Sequence, residues 1–104
     1  MQNVQPLVHT YARALEAKVQ EAYNFMTPDA MPFVAVEVGR KYFKVLVDHR
    51  HQRSVHAFVD RVTGDVFKPE GWAKPAKGAR FNLVTGLQDI LAKVDPYGSY
   101  LYLR

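Results

Sequence analysis

The chain contains no cysteine. That excludes disulfides, thiolate zinc sites and cysteine nucleophiles, and it suits a reducing compartment. No apolar run approaches the roughly eighteen residues that a membrane-spanning helix needs, so no membrane association is expected. The opening stretch MQNVQPLVHTYARALEAKVQ lacks a basic region followed by an unbroken apolar segment, so no signal peptide is expected and the protein reads as soluble and intracellular. Catalytic signatures are missing too. There is no Walker-type glycine-rich loop, no GxGxxG, no GxSxG and no HExxH, and KPAKGAR lacks the strand-to-helix glycine pattern of a phosphate loop. Nothing in the pattern supports an enzyme or calls for a cofactor. Internal repeats and low-complexity segments are also absent.

What is present is an ordinary globular composition, 48% hydrophobic and 23% charged over 104 residues. A chain of this length buries roughly two-thirds of its unfolded surface, enough for one core without covalent staples. A single domain, residues 1–104, is expected.

Charge is unevenly placed. Residues 40–82 carry Arg40, Lys41, Lys44, Arg50, Arg53, Arg61, Lys68, Lys74, Lys77 and Arg80 against only Asp48, Asp60, Asp65 and Glu70. The amino-terminal third is slightly acidic and the carboxy-terminal segment is balanced, so the whole excess of the +4 chain lies in the centre. Such a local positive field attracts anions: nucleic acid, nucleotide phosphate or an acidic protein face. The same lysines would also serve solubility alone.

Periodicity gives the elements. Val8, Tyr11, Leu15, Val19, Ala22 and Met26 recur at helical spacing and predict a helix from about Pro6 to Met26, ended by TPDAMP. PFVAVEVG and KYFKVLVD alternate as strands, the second with Phe43, Val45 and Val47 facing in and Tyr42, Lys44 and Asp48 facing out. Only Gly39-Arg40 punctuates them, so they form a hairpin. SVHAFVDRV is a third strand, and VFK a short fourth, entered through Gly64 and stopped by Pro69. Leu83, Leu87, Ile90, Leu91 and Val94 predict a second helix over 83–93, with Asn82 as N-cap and Gly86 as a soft spot. After the DPYG turn, SYLYLR alternates and is available as a fifth, edge strand; left unpaired, it would allow a homodimer across a two-fold axis. The expected architecture is α+β: a four-stranded antiparallel meander, or five-stranded with that tail, with both helices on one face.

Two small clusters invite a chemical reading. Asp48, His49, His51 and His56 offer metal-ligand atom types, but the interleaved arginines repel a cation, and an anion contact suits this loop better than a metal. Asp60 and Asp65 flank the DRVTGD hairpin, where such carboxylates accept turn N–H groups. His9 stands alone on the first helix and reads as structural.

The stretch KPEGWAKPAKGAR, residues 68–80, holds the only tryptophan, Trp72, with Lys68, Lys74, Lys77 and Arg80. If PAKGAR forms one helical turn, Lys74, Lys77 and Arg80 align along an edge beside an aromatic surface on which a base can stack. The alternative is a buried Trp72 that plugs the end of the sheet. With Arg40, Lys44, Arg50 and Arg53 these residues form the candidate nucleic-acid or phosphate surface.

Residues 54–83, SVHAFVDRVTGDVFKPEGWAKPAKGARFNL, resemble a segment of short, mostly uncharacterised tailed-bacteriophage proteins. The shared pattern is carried by Phe58-Val59-Asp60, Thr63-Gly64-Asp65, Phe67-Lys68-Pro69, Trp72, Pro75-Ala76-Lys77 and Arg80, with VGRKYFKV and the terminal YLR also similar. This chain departs from the pattern by a longer carboxy-terminal helix and by Glu70 inside the loop. The resemblance implies a viral origin and the cytoplasm of an infected host, and no particular activity. The expected function is an accessory protein that binds nucleic acid or nucleotide phosphate through the central basic surface. The alternative is a host-directed inhibitor or anti-defence protein that docks a host protein or sequesters a nucleotide signal; a third is a minor component of the virus particle.

Overall fold

In a computed structural model, which describes residues 3–102, the first apolar stripe forms α1, Val4–Ala22. It begins two residues before Pro6 because the Asn3 side chain accepts the Gln5 N–H, and proline is tolerated within the first turn, where N–H groups lack helical partners. It ends before Met26, with the Tyr23 N–H shared between the Val19 and Gln20 carbonyls. Val4, Val8, Tyr11, Ala12, Leu15 and Val19 are buried along one face. His9 lies on the exposed side, so the structural role expected of it is not seen.

Five strands form one antiparallel sheet in chain order: β1 Phe33–Val38, β2 Tyr42–Asp48, β3 Arg53–Asp60, β4 Asp65–Phe67 and β5 Phe81–Asn82. The α+β architecture is as the sequence predicts, but the fifth strand is not SYLYLR. Phe81 and Asn82 pair with Val66 and Asp65 instead. Asn82 is thereby drawn into the sheet: its Nδ2 donates to Asp65 Oδ1 and the Thr63 carbonyl, while its Oδ1 accepts from Val84 and Thr85. It caps a turn, not a helix, and α2 starts later, at Leu87–Lys93, with Gly86 as N-cap. Ser99–Leu101 is a short 3-10 turn, because Asp95 accepts N–H groups from Tyr97, Ser99 and Tyr100 and curls the chain. Leu103 and Arg104 lie outside the described residues. Among the described residues, no helix is long and apolar enough to cross a membrane.

The face toward α1 carries Val34, Phe43, Val45, Val47, Ala57, Val59 and Val66, which join the helix residues, Leu83, Ile90 and Leu101 in the core. Strand β3 does not alternate cleanly. Val45 pairs with Ala57 and Leu46 with Val55, so His56 is an extra, unpaired residue. Such a bulge lets two consecutive side chains point to one side. His56 turns inward, only 7% exposed, and its Nε2 lies 2.9 Å from the Tyr100 hydroxyl, which bonds in turn to the Tyr11 hydroxyl. A chain of polar groups thus crosses the core from β3 through the carboxy-terminal turn to α1. Burial holds the imidazole neutral, lowering its pKa to about 4 against a smaller upward pull from Asp95, and burial raises both tyrosine hydroxyls well above their ordinary value.

The free edge of β1 is plugged by α1. The Val34 N–H donates to Glu16 Oε2 at 2.9 Å, and its carbonyl accepts from Arg13 Nη2 at 2.8 Å. Arg13 and Glu16 are themselves paired at 3.0 Å, so one ion pair stands where a neighbouring strand would. Covered edges resist strand addition.

Two outcomes follow from these contacts. Arg13→Ala combined with Glu16→Ala should cost on the order of 1 kcal/mol and lower Tm by several degrees. It should also add concentration-dependent association, read by light scattering; a variant as stable and as monodisperse as the parent would exclude the plug. For His56, the unfolded chain binds a proton below pH 6.5 while the folded one does so only near 4. The associated stability is present above pH 6.5 and is lost as pH falls toward 4, by about 3 kcal/mol. Denaturant titrations across that window should show the slope, and His56→Gln should remove it.

Candidate anion-binding face

The second face of the sheet has no helix on it. Tyr42, Lys44 and Leu46 of β2, Val55 and Phe58 of β3, and Phe67 of β4 point there. Tyr42 meets the rings of Phe58 and Phe67 edge-on, each at 5.9 Å. Leu46 and Phe58 are buried although they stand apart from the main core. Their cover is the 68–80 segment, which does not form a helical turn. Pro69 bridges Pro75, the Ala76 N–H donates to the Lys68 carbonyl, and the Glu70 and Gly71 N–H groups both donate to the Lys74 carbonyl. Prolines at both legs disfavour a helix and suit this small hairpin. Its tip folds back over β2 and β3, so the expected alignment of Lys74, Lys77 and Arg80 along one edge does not occur.

Trp72 sits at that tip, 48% exposed, and is not a core plug. Lys44 Nζ lies 4.6 Å from its ring centroid and the Arg53 guanidinium 5.6 Å. Attraction of the two cations to the indole face holds the ring against the sheet. Arg53, on β3, is also paired at 3.1 Å with Glu37 on β1, across the intervening β2. Beside the tip, a groove of about 250 Å³ runs between Ala73 and the β1–β2 hairpin, with Arg40, Lys41, Tyr42, Lys44 and Phe58 in its lining.

The candidate cations therefore divide. Arg40, Lys44 and Arg53 gather with Trp72 on this face. Arg50 lies at the opposite end of the sheet, with a left-handed backbone (φ 78°), its Nε donating to the Met31 carbonyl and its guanidinium 4.6 Å over Phe33. Arg80 is a structural tie: its Nε donates to the Leu101 carbonyl at 2.8 Å. Lys68 turns away to the Tyr102 ring, 4.5 Å off. Lys74 pairs with Glu70 at 3.3 Å in solvent, and Lys77 is exposed and does not line this groove. Lys41, Tyr42 and Phe58, which the candidate surface read from the sequence leaves out, belong to the face; strand alternation puts Tyr42 beside Lys44.

Among the described residues, no three His, Asp or Glu side chains converge on a metal position. His56 is in the core, and His49 lies edge-on to Tyr23 at 5.7 Å. Asp60 and Asp65 serve the hairpin. Burial pushes the Asp60 carboxyl up, but N–H bonds from Thr63 and Val62 and the nearby Lys41 outweigh it and hold it below the usual range.

Fold and face together define a small α+β domain with one sealed sheet face and one open, cationic and aromatic face. Over residues 1–103 the chain matches a family described as "Family of unknown function (DUF7717)", and it belongs to that family. No curated protein and no solved structure matches it.

Because Trp72 is half in solvent at a loop tip, Trp72→Ala should cost no more than about 1 kcal/mol in denaturant unfolding, while Leu46→Ala beneath the loop should cost about 2–5 kcal/mol. Equal losses would restore the plug.

Proposed function

We propose that this chain is a small phage accessory protein, working in the host cytoplasm, that binds single-stranded nucleic acid or nucleotides on its open sheet face. The observation that carries this reading is the placement of Trp72: a lone, half-exposed indole flanked by Lys44 and Arg53 and adjoining a groove walled by Tyr42 and Phe58. Stacking of a base on an aromatic side chain contributes about 1–3 kcal/mol and tolerates any sequence, because every base has a π-face. Lys44 and Arg53 end in flexible side chains. A base that takes their place over the indole frees an ammonium and a guanidinium to meet the phosphates on either side of it.

Trp72 is the only tryptophan, so its fluorescence reports on this face and nowhere else. Titration with a short oligothymidylate at low salt should quench it, with affinity falling steeply as salt rises. Followed by anisotropy of a labelled oligonucleotide, Trp72→Ala and Lys44→Ala should each weaken binding about 10-fold or more, while polyglutamate should compete poorly. If single-stranded DNA, single-stranded RNA and nucleotides all leave both the fluorescence and the anisotropy unchanged, the reading is wrong.

A further inference from the structure

The groove beside Trp72 has a neighbour. Around the hairpin end of the sheet, a second concavity of about 590 Å³ is lined by Arg40, Lys41, Asp60, Arg61, Val62 and Thr63. The two share Arg40 and Lys41 in their linings, so they adjoin there as two halves of unlike character. The first half is walled by Tyr42, Phe58, Val38 and Ala73, with Lys44 and the Arg53-paired Glu37 also in its lining. The second holds three cations and one carboxylate.

This second half is built, not merely a place where lysines happen to lie. The Arg61 N–H donates to the Lys41 carbonyl at 3.1 Å, and Arg61 Nη1 donates to the Gly39 carbonyl at 2.6 Å and reaches the Arg40 carbonyl at 3.5 Å. The guanidinium lies 5.4 Å from the Phe43 ring centroid. Arg61 thus clamps the β1–β2 hairpin to the β3–β4 hairpin and is held in place by both. Both of its side-chain bonds use Nη1. The Nε and Nη2 edge has no partner among the described residues, and that edge is the two-donor fork that matches a phosphate. Asp60, the one acid in this lining, accepts the Val62 and Thr63 N–H groups on Oδ1 and stays ionised near Lys41, so the half keeps an excess of cations, three against one.

We infer that Arg40, Lys41 and Arg61 form a phosphate subsite and that the ligand of this face is a nucleotide with a free terminal phosphate, its ring in the groove beside Trp72. The inference rests on the proposed nucleic-acid reading and makes it more specific. Terminal phosphate carries more charge than an internal diester and presents the oxygens that a guanidinium fork grips. The group belongs to a free nucleotide or to the phosphorylated end of a strand; the chemistry is the same, and the sources separate by experiment.

Isothermal titration of the intact protein with adenosine, adenosine monophosphate and adenosine triphosphate should give affinities rising in that order. In parallel, Trp72 fluorescence is followed with oligothymidylates bearing 5′-phosphate, 3′-phosphate or hydroxyl ends. A preference of 10-fold or more for a phosphorylated end identifies a strand terminus as the source; tight triphosphate binding with no end preference identifies a free nucleotide. Arg40→Gln with Lys41→Gln should weaken the phosphorylated ligand at least 10-fold and leave adenosine unchanged. Arg61→Lys, which keeps the charge and loses the fork, should do the same in part, with thermal melting confirming that both variants fold. If oligonucleotides bind in a Trp72-dependent way but neither terminal phosphate nor these substitutions matter, the phosphate subsite is overturned and the broader reading stands. If nothing perturbs Trp72, both fall together.

Discussion

The bulge at His56 holds the two faces of this protein in their places. Without it, β3 would alternate through its length, and Phe58 and Val55 could not both point to the open face while Ala57 and His56 both point to the core. The extra residue resets the alternation. Its imidazole, neutral and buried, catches the Tyr100 hydroxyl, and Tyr100 reaches Tyr11 on α1. The same carboxy-terminal turn presents the Leu101 carbonyl to Arg80, at the return leg of the 68–80 segment. One irregularity in a strand therefore positions the carboxy-terminal turn, and through it the loop that carries Trp72. Gly98, beside the imidazole, takes φ 80°, a left-handed conformation that side-chain-bearing residues rarely adopt.

The open face works by a division among cations. Arg50 and Arg80 spend their guanidinium groups on backbone carbonyls and hold loops in place. Lys44 and Arg53 lie over an indole, and Arg61 locks two hairpins while keeping one edge of its fork free. Arginine suits the clamping roles because its planar fork can bond the backbone on one side and still offer donors on another. The result is a positive surface in which Arg61 is fixed by backbone carbonyls and Arg53 by its pairing with Glu37.

The meander was legible because its strands alternate and its hairpins carry Gly39 and Gly64 between them. The inward set Phe43, Val45 and Val47 follows from that pattern alone. The pattern failed at His56, where a bulge changes parity without any local sign, and at SYLYLR, where alternating Tyr and Leu imitates a strand while Asp95 gathers the N–H groups of a turn. Asn82 has the right chemistry for a cap and does cap, but a turn in place of a helix, because its other amide atom is bound to Asp65 across the sheet. The candidate site was legible as composition, a tryptophan among cations, and not as a place.

Local chemistry in the sequence determined what needs only near neighbours: the amphipathic stripe of α1, the register of the first hairpin, the turn at Asp60–Asp65, the concentration of positive charge between residues 40 and 82. The tertiary structure alone decided which of those charges share a surface. Trp72 reaches Lys44 because a hairpin with a proline in each leg folds back over β2 and β3, and Arg50 and Arg80 are removed because carbonyls distant in the chain come within hydrogen-bond reach of them. Contacts of that kind depend on the packing of whole elements, which no short window of residues encodes.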